Sequence, residues 1–194
     1  MRITGGKACG IRLKAPKGDI TRPATDRMRE AIFSSLGNCV EGSRVTDLFA
    51  GTGAYGLEAL SRGAIKVTFY EHDRQALACM RYNQQAILKC CALAQDAIRT
   101  IGRNVYESTA IGERSELIFI DPPYDEIESN LERIFACADA LGTPDVRVIL
   151  ELPGNLNAEA EGWQLIRRLG KARHDRPNAA IFGRDSVKPN ARGA

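Results

Sequence analysis

The stretch Asp47–Gly56, "DLFAGTGAYG", spells G-x-G-x-x-G with Gly51, Gly53 and Gly56. In front of it "RVTDLF" (44–49) reads as a strand, and behind it "GLEALSRG" (56–63) reads as a helix closed by Gly63. A strand that ends in a glycine turn and restarts as a helix lets the backbone approach a ligand closely. The first turn of that helix also offers unpaired N–H groups. The spelling alone is weak, so the residues around it must decide what the turn holds.

Working outward, strands and helices alternate. "KVTFYE" (66–71) is the next strand and Arg74–Leu88 the next helix, and a third strand is expected near Cys90–Leu93. "ELIFI" (116–120) is a buried strand, Glu128–Ala138 a helix and "RVILEL" (147–152) another strand, with two more near Gln164–Leu169 and Ala179–Phe182. This pattern predicts an α/β domain built on a mostly parallel sheet with helices on both faces. Upstream, "RPATDRMREAIFSSLG" (22–37) is a helix with Thr25 as N-cap, Asp26 in its first turn and Gly37 as its stop. Its buried stripe is expected to be Met28, Ile32 and Leu36. The first residues, "MRITGGKACGIRLKAPKGD", suggest a small basic hairpin lying outside the core. The expected divisions are a hairpin extension over 1–22, the main α/β domain over 23–185 and a mobile tail over 186–194.

The chain has 194 residues and a net charge of only +3, but the charge is unevenly placed. Residues 1–30 hold eight Lys/Arg against three Asp/Glu, and residues 166–194 hold eight against two. Basic ends around an acidic centre suit an anionic macromolecule gripped by the ends. Six cysteines and two histidines show no metal-ligand spacing, so the cysteines are read as reduced and no metal is expected. No apolar run is long enough to span a bilayer and no secretory signal opens the chain, which makes a cytoplasmic protein the expectation.

Two features bear on what the turn binds. Glu71 ends the second strand, where a ribose-binding carboxylate belongs, a placement that suits NAD and S-adenosylmethionine equally. Asp47 lies beside the turn, where it would repel a pyrophosphate and attract the ammonium of a methionine moiety. "QDA" (95–97) is expected to follow the third strand, with Asp96 either an acceptor for an adenine amine or an ordinary helix N-cap.

"LIFIDPPYDE" (117–126) supplies a second constellation. A buried strand emits Asp121-Pro122-Pro123-Tyr124 at its carboxyl end, on the side of the glycine turn. Prolines stiffen the loop and carry no N–H, so it presents acceptors: the Asp121 carboxylate and the Pro122 carbonyl. Tyr124 adds a flat ring on which a base can stack, worth ~1–3 kcal/mol. Two acceptors facing an exocyclic amine can hold both of its N–H bonds and aim its lone pair at a methyl donor. Asp121 also offsets the positive charge that develops on nitrogen.

These segments together resemble the class I, Rossmann-like methyltransferases, and more closely the RsmD family of bacterial 16S ribosomal RNA guanine-N2 methyltransferases. The resemblance rests on "RITGGKACGIRLKAP", "RPATDRMREAIFSSL", "VTDLFAGTGAYGLEALSRGA", "FYEHD" and "LIFIDPPYD", in family order over roughly residues 1–125. It implies a seven-stranded sheet and methylation of a guanine N2 amine in 16S ribosomal RNA, or in the assembling small subunit, by a monomer. Asp47, Phe49, Gly51, Thr52, Gly53, Glu71, His72, Asp96 and Ala97 would bind S-adenosyl-L-methionine, with Arg27 on its carboxylate. Asp121, Pro122 and Tyr124 would be catalytic, and Pro123, Thr25, Arg22, Arg12 and Lys7 would contact the substrate. Ala24, Thr52 and Tyr55 depart from the family's usual residues, and the match fades beyond Leu152. The alternatives are an N6-adenine methyltransferase of RNA or DNA and a non-catalytic RNA-binding assembly factor. A protein-glutamine methyltransferase is disfavoured by Asp121, and an NAD enzyme by Asp47.

Overall fold

The computed structural model describes residues 1–16, 26–107, 113–154, 156–170 and 177–185. Its strands are β1 (Arg44–Leu48), β2 (Lys66–Tyr70), β3 (Ile98–Ile101), β4 (Ser115–Ile120), β5 (Gly142–Pro153), β6 (Trp163–Leu169) and β7 (Pro177–Arg184). Its helices are α1 (Asp26–Leu36), α2 (Ala54–Ser61), α3 (Arg74–Cys91) and α4 (Tyr124–Leu141). The strands form one seven-stranded sheet in the order β3-β2-β1-β4-β5-β7-β6. The first five in that order run parallel, whereas β7 is antiparallel to both β5 and β6. Chain direction across the sheet reverses between β1 and β4, which makes their carboxyl ends the switch point where α/β folds bind ligands.

Strand alternation divides the core between the two sheet faces. Val45, Phe69, Leu117, Phe119 and Ile149 pack with α1, α2 and α3. Leu48, Ile118, Ile120, Val148 and Leu150 pack with α4 and Trp163. α1 buries Ile32, Phe33 and Leu36 as its apolar stripe requires, while Met28 is only half-buried and the fully buried Arg29 joins the inner face.

Three expectations are corrected. The third strand is Ile98–Ile101, not Cys90–Leu93. Ile87, Leu88 and Cys91 share one face of α3, so this apolar run continues the helix until Ala92 turns left-handed at φ 54°. α4 begins at Tyr124, four residues earlier than expected, with Pro123 in the N-cap position. The N-terminal hairpin is not outside the core. Arg2 and Arg12 form an antiparallel bridge, Ile3 N–H donates to the Ile11 carbonyl at 2.9 Å, and Ile3, Ala8 and Leu13 are buried against α1–α3. Arg2, Lys7, Arg12 and Lys14 point outward, so the hairpin is two-faced.

A buried ion cluster holds the hairpin in place. Glu58 of α2 accepts from the Thr4 backbone N–H at 2.9 Å and the Thr4 hydroxyl at 2.6 Å, and it pairs with Arg29 and Arg62. Arg29 also meets Asp26 at 2.8 Å and donates to the Arg2 carbonyl. The expected positions Arg22 and Thr25 and the expected tail over 186–194 lie outside the described residues.

Candidate active site

At the carboxyl ends of β1, β2 and β4 opens a cleft of about 650 Å³. The glycine turn forms one wall and Asp121–Tyr124 another, with Met1 and Pro16 of the N-terminal segment at its edge. The two distant loops therefore meet in one cavity, as the sequence predicts.

The turn is held by its own backbone and by one carboxylate. Phe49, Gly51 and Gly53 all have left-handed φ values, 60°, 56° and 80°. For Phe49 this is a strained conformation, retained where the surroundings over-determine it. Its ring meets Tyr106 edge-on at 5.6 Å. Glu71 accepts from the N–H groups of Gly51, His72 and Asp73, each at 2.7 Å. That occupies three of a carboxylate's roughly four acceptor sites, leaving about one for a ligand hydroxyl. Gly53 stands behind the wall as N-cap of α2, and its carbonyl accepts from Leu57 N–H at 2.9 Å. Asn83 of α3 ties the Thr52 carbonyl to Lys14, donating to both carbonyls at 3.0 Å.

Four consecutive strands each deliver a carboxylate to the same sheet face near this edge. Glu71 follows β2, Asp47 lies in β1, Asp121 follows β4 and Glu151 lies near the end of β5. Burial pushes Asp47 up to about 8, against the hydrogen bond it accepts from Gly56 N–H at 2.9 Å, and the Glu71 charge adds to the rise. Burial also raises Asp121 well above the carboxylate range, helped by Glu151 and Asp47. Such a row favours a cationic ligand. A sulfonium with an ammonium favours the ionised form of these carboxyls, which a dinucleotide pyrophosphate would oppose, so the residues present fit S-adenosylmethionine.

Of the expected residues, Asp47, Phe49, Gly51, Thr52, Glu71, His72, Asp121, Pro122, Pro123 and Tyr124 line the cleft. Asp96 and Ala97 do not. They form a short 3-10 turn before β3, at its amino end and away from the ligand edge, because the strand follows "QDA" rather than preceding it. The segment that does follow β3 brings Arg103 and Val105 to the cleft. Arg27 is exposed on α1, and Arg29 takes the buried position on that helix. Lys7 and Arg12 lie on the outer face of the hairpin and do not line the cleft.

The sequence reading missed Tyr55, which lines the cleft, and the Glu151 to which its hydroxyl donates. A lone acid inside the apolar run "RVILEL" was the available signal for Glu151. All six cysteines are free, and no group of three or more metal-ligating side chains occurs among the described residues.

The sheet order, the glycine turn after β1 and the acceptor loop after β4 are the architecture of a Rossmann-like class I methyltransferase. The chain belongs to the family described as Conserved hypothetical protein 95, the RsmD family, whose model matches residues 1–174. It is 40% identical over 130 residues to the Bacillus subtilis (strain 168) protein named "Putative rRNA methyltransferase YlbH", covering 65% of this chain and 68% of that one. It is 37% identical over 125 residues to "Ribosomal RNA small subunit methyltransferase D" of Escherichia coli (strain K12), covering 64% of this chain and 60% of that one. Among solved structures, "Putative methyltransferase yhhF from Escherichia coli" superposes with a TM-score of 0.76 at 28% identity, covering 95% of this chain and 97% of that one.

Proposed function

We propose that this protein transfers a methyl group from S-adenosyl-L-methionine to the exocyclic N2 amine of a guanine in 16S ribosomal RNA of the assembling small subunit. The observation that carries this reading is that a cation-favouring glycine turn and the Asp121-Pro122-Pro123-Tyr124 acceptors share one cleft. The names of the relatives point to ribosomal RNA, and that of the Escherichia coli relative to the small subunit. Guanine N2 is the target that the family resemblance implies.

The donor supplies an electrophilic methyl on a sulfonium. Glu71 would hold a ribose hydroxyl, and Asp47 would face the methionine ammonium. Tyr124 would stack on the base, while the Asp121 carboxylate and the Pro122 carbonyl accept the two amine N–H bonds. That geometry localises the nitrogen lone pair and aims it along the transfer line, so positioning supplies much of the acceleration. Asp121 compensates the charge that forms on nitrogen. The outward cations of the hairpin, Lys7 and Arg12 among them, would meet RNA phosphates, and a base stacked in the RNA would have to turn out to reach Tyr124.

Tritiated S-adenosylmethionine supplied with small subunits from cells lacking the protein should label N2-methylguanosine in digested RNA. Label in N6-methyladenosine would move the target to adenine, and no label in any nucleoside would end the enzymatic reading. Asp121→Ala should lose transfer by ~100-fold or more while cofactor affinity, read by calorimetry, survives.

A further inference from the structure

Asp121 and Glu151 leave neighbouring strands side by side. Ile120 pairs with Leu150 in the parallel β4–β5 register, so the next residue on each strand is a carboxylate, on strands about 4.8 Å apart. Asp121 lines the cleft, whereas Glu151 lies behind it and is 2% exposed. Between Glu151 and the cleft stands Tyr55, whose ring stacks on Phe119 at 5.0 Å and whose hydroxyl donates to the Glu151 carboxylate.

We propose that Glu151, pinned by the Tyr55 hydroxyl, is a positioning residue that governs the charge of Asp121, so that Asp121 becomes an acceptor for the target amine only once a cationic donor occupies the cleft. This rests on the methyltransferase reading given above. Ionising one of two adjacent carboxylates, one of them wholly buried, opposes ionisation of the other. The Tyr55 hydrogen bond and the Arg29 charge favour ionised Glu151, although burial still lifts it to about 7. Asp121 accepts no hydrogen bond from the described residues and faces Glu151 and Asp47, and behind Asp47 stands Glu71. The shared proton therefore rests on Asp121 in the free protein.

Positive charge beside Asp121 stabilises its carboxylate, and the proton leaves to solvent. Asp121 then accepts an amine N–H. As the nitrogen lone pair forms the new N–C bond, the S–C pair passes to sulfur and nitrogen becomes cationic. Nitrogen sheds its proton to Asp121, whose carboxyl is neutral again beside ionised Glu151. The spent donor is an uncharged thioether, so nothing holds Asp121 ionised and its grip on the methylated amine relaxes. The charge cycle closes with each turnover.

The test uses side-chain carboxyl 13C NMR of the free protein, and calorimetry in buffers of differing ionisation enthalpy. S-adenosylmethionine and S-adenosylhomocysteine are compared, because both carry the ammonium that faces Asp47 and only the first carries a sulfonium. In the wild type, S-adenosylmethionine should release more protons near neutral pH, by up to about one per site. Glu151→Gln should lower the Asp121 titration, erase that difference and move the acid limb of the pH–rate profile to lower pH. Tyr55→Phe keeps the ring on Phe119 and should raise the Glu151 titration while lowering that of Asp121. An Asp121 titration unmoved in both variants, or no difference between the two ligands in the wild type, overturns the proposal. With Asp121→Ala inactive, that result retires only the role of Glu151. A fully active Asp121→Ala retires the underlying reading of the acceptor loop.

Discussion

Gly56 shows how closely the site is packed at the scale of a residue. A Cβ built there would stand 2.4 Å from Phe69 Cε1 and 2.7 Å from Val67 Cγ1, because α2 lies directly on β2. Gly56→Ala should therefore destabilise the fold by roughly 1–3 kcal/mol, read as a lower urea midpoint with an unchanged slope. The third glycine of the motif thus serves helix–sheet contact, while Gly51 provides the left-handed turn. Asp47 carries a second prediction at this scale. Its folded value of about 8 lies above the ordinary 3.8, so between those limits the folded state keeps a proton that the unfolded chain has released. Its stability contribution is full below the ordinary value and is lost as pH rises toward 8. Asp47→Asn should flatten the decline of the free protein's stability between pH 5 and pH 8, measured by urea unfolding; an unchanged slope would remove this account.

At the scale of elements, the Glu58 cluster joins three of them: α1 through Arg29, α2 through Glu58 itself and the hairpin through Thr4. Glu58→Ala would remove the buried carboxylate that Arg29, Arg62 and Thr4 share and should cost roughly 3–5 kcal/mol. Because the hairpin's Met1 and the adjoining Pro16 border the cleft, amide exchange in residues 1–13 should quicken in that variant before exchange in the sheet does. Equal acceleration in both would show that the cluster serves the whole core and not the hairpin. Two of the segments that carry the family resemblance, "RPATDRMREAIFSSL" and "VTDLFAGTGAYGLEALSRGA", supply Asp26, Arg29, Glu58 and Arg62 to this cluster, a structural use that their spelling does not disclose.

Over the whole molecule, charge is sorted by place. Carboxylates line the ligand edge of four strands, and the hairpin turns its cations outward, with Lys7 at its tip, where its N–H donates to the Ser61 carbonyl at the far end of α2. Replacing Lys7 and Arg12 together by Ala should lower RNA affinity and reduce its logarithmic salt slope by roughly 1.4–1.8. An unchanged slope would move the RNA grip off the hairpin. No helix among the described residues is long and apolar enough to cross a membrane.

By itself the sequence determined the α/β alternation, the glycine turn after β1 and the acceptor loop after β4. Each is written in local signals: apolar period, glycine placement and tandem proline. It misplaced β3, because "AILKCCAL" is apolar enough for strand or helix and only packing of α3 on the sheet decides between them. That one error carried Asp96 and Ala97 to the wrong end of the sheet and hid Arg103. Tertiary structure alone decided that the hairpin joins the core, that Arg29 and not Arg27 turns inward, and that Glu151 stands beside Asp121. These depend on which strands become neighbours and in what register. Register between β4 and β5, separated in the chain by all of α4, is fixed by burial on two sheet faces at once, a condition no local stretch of residues contains.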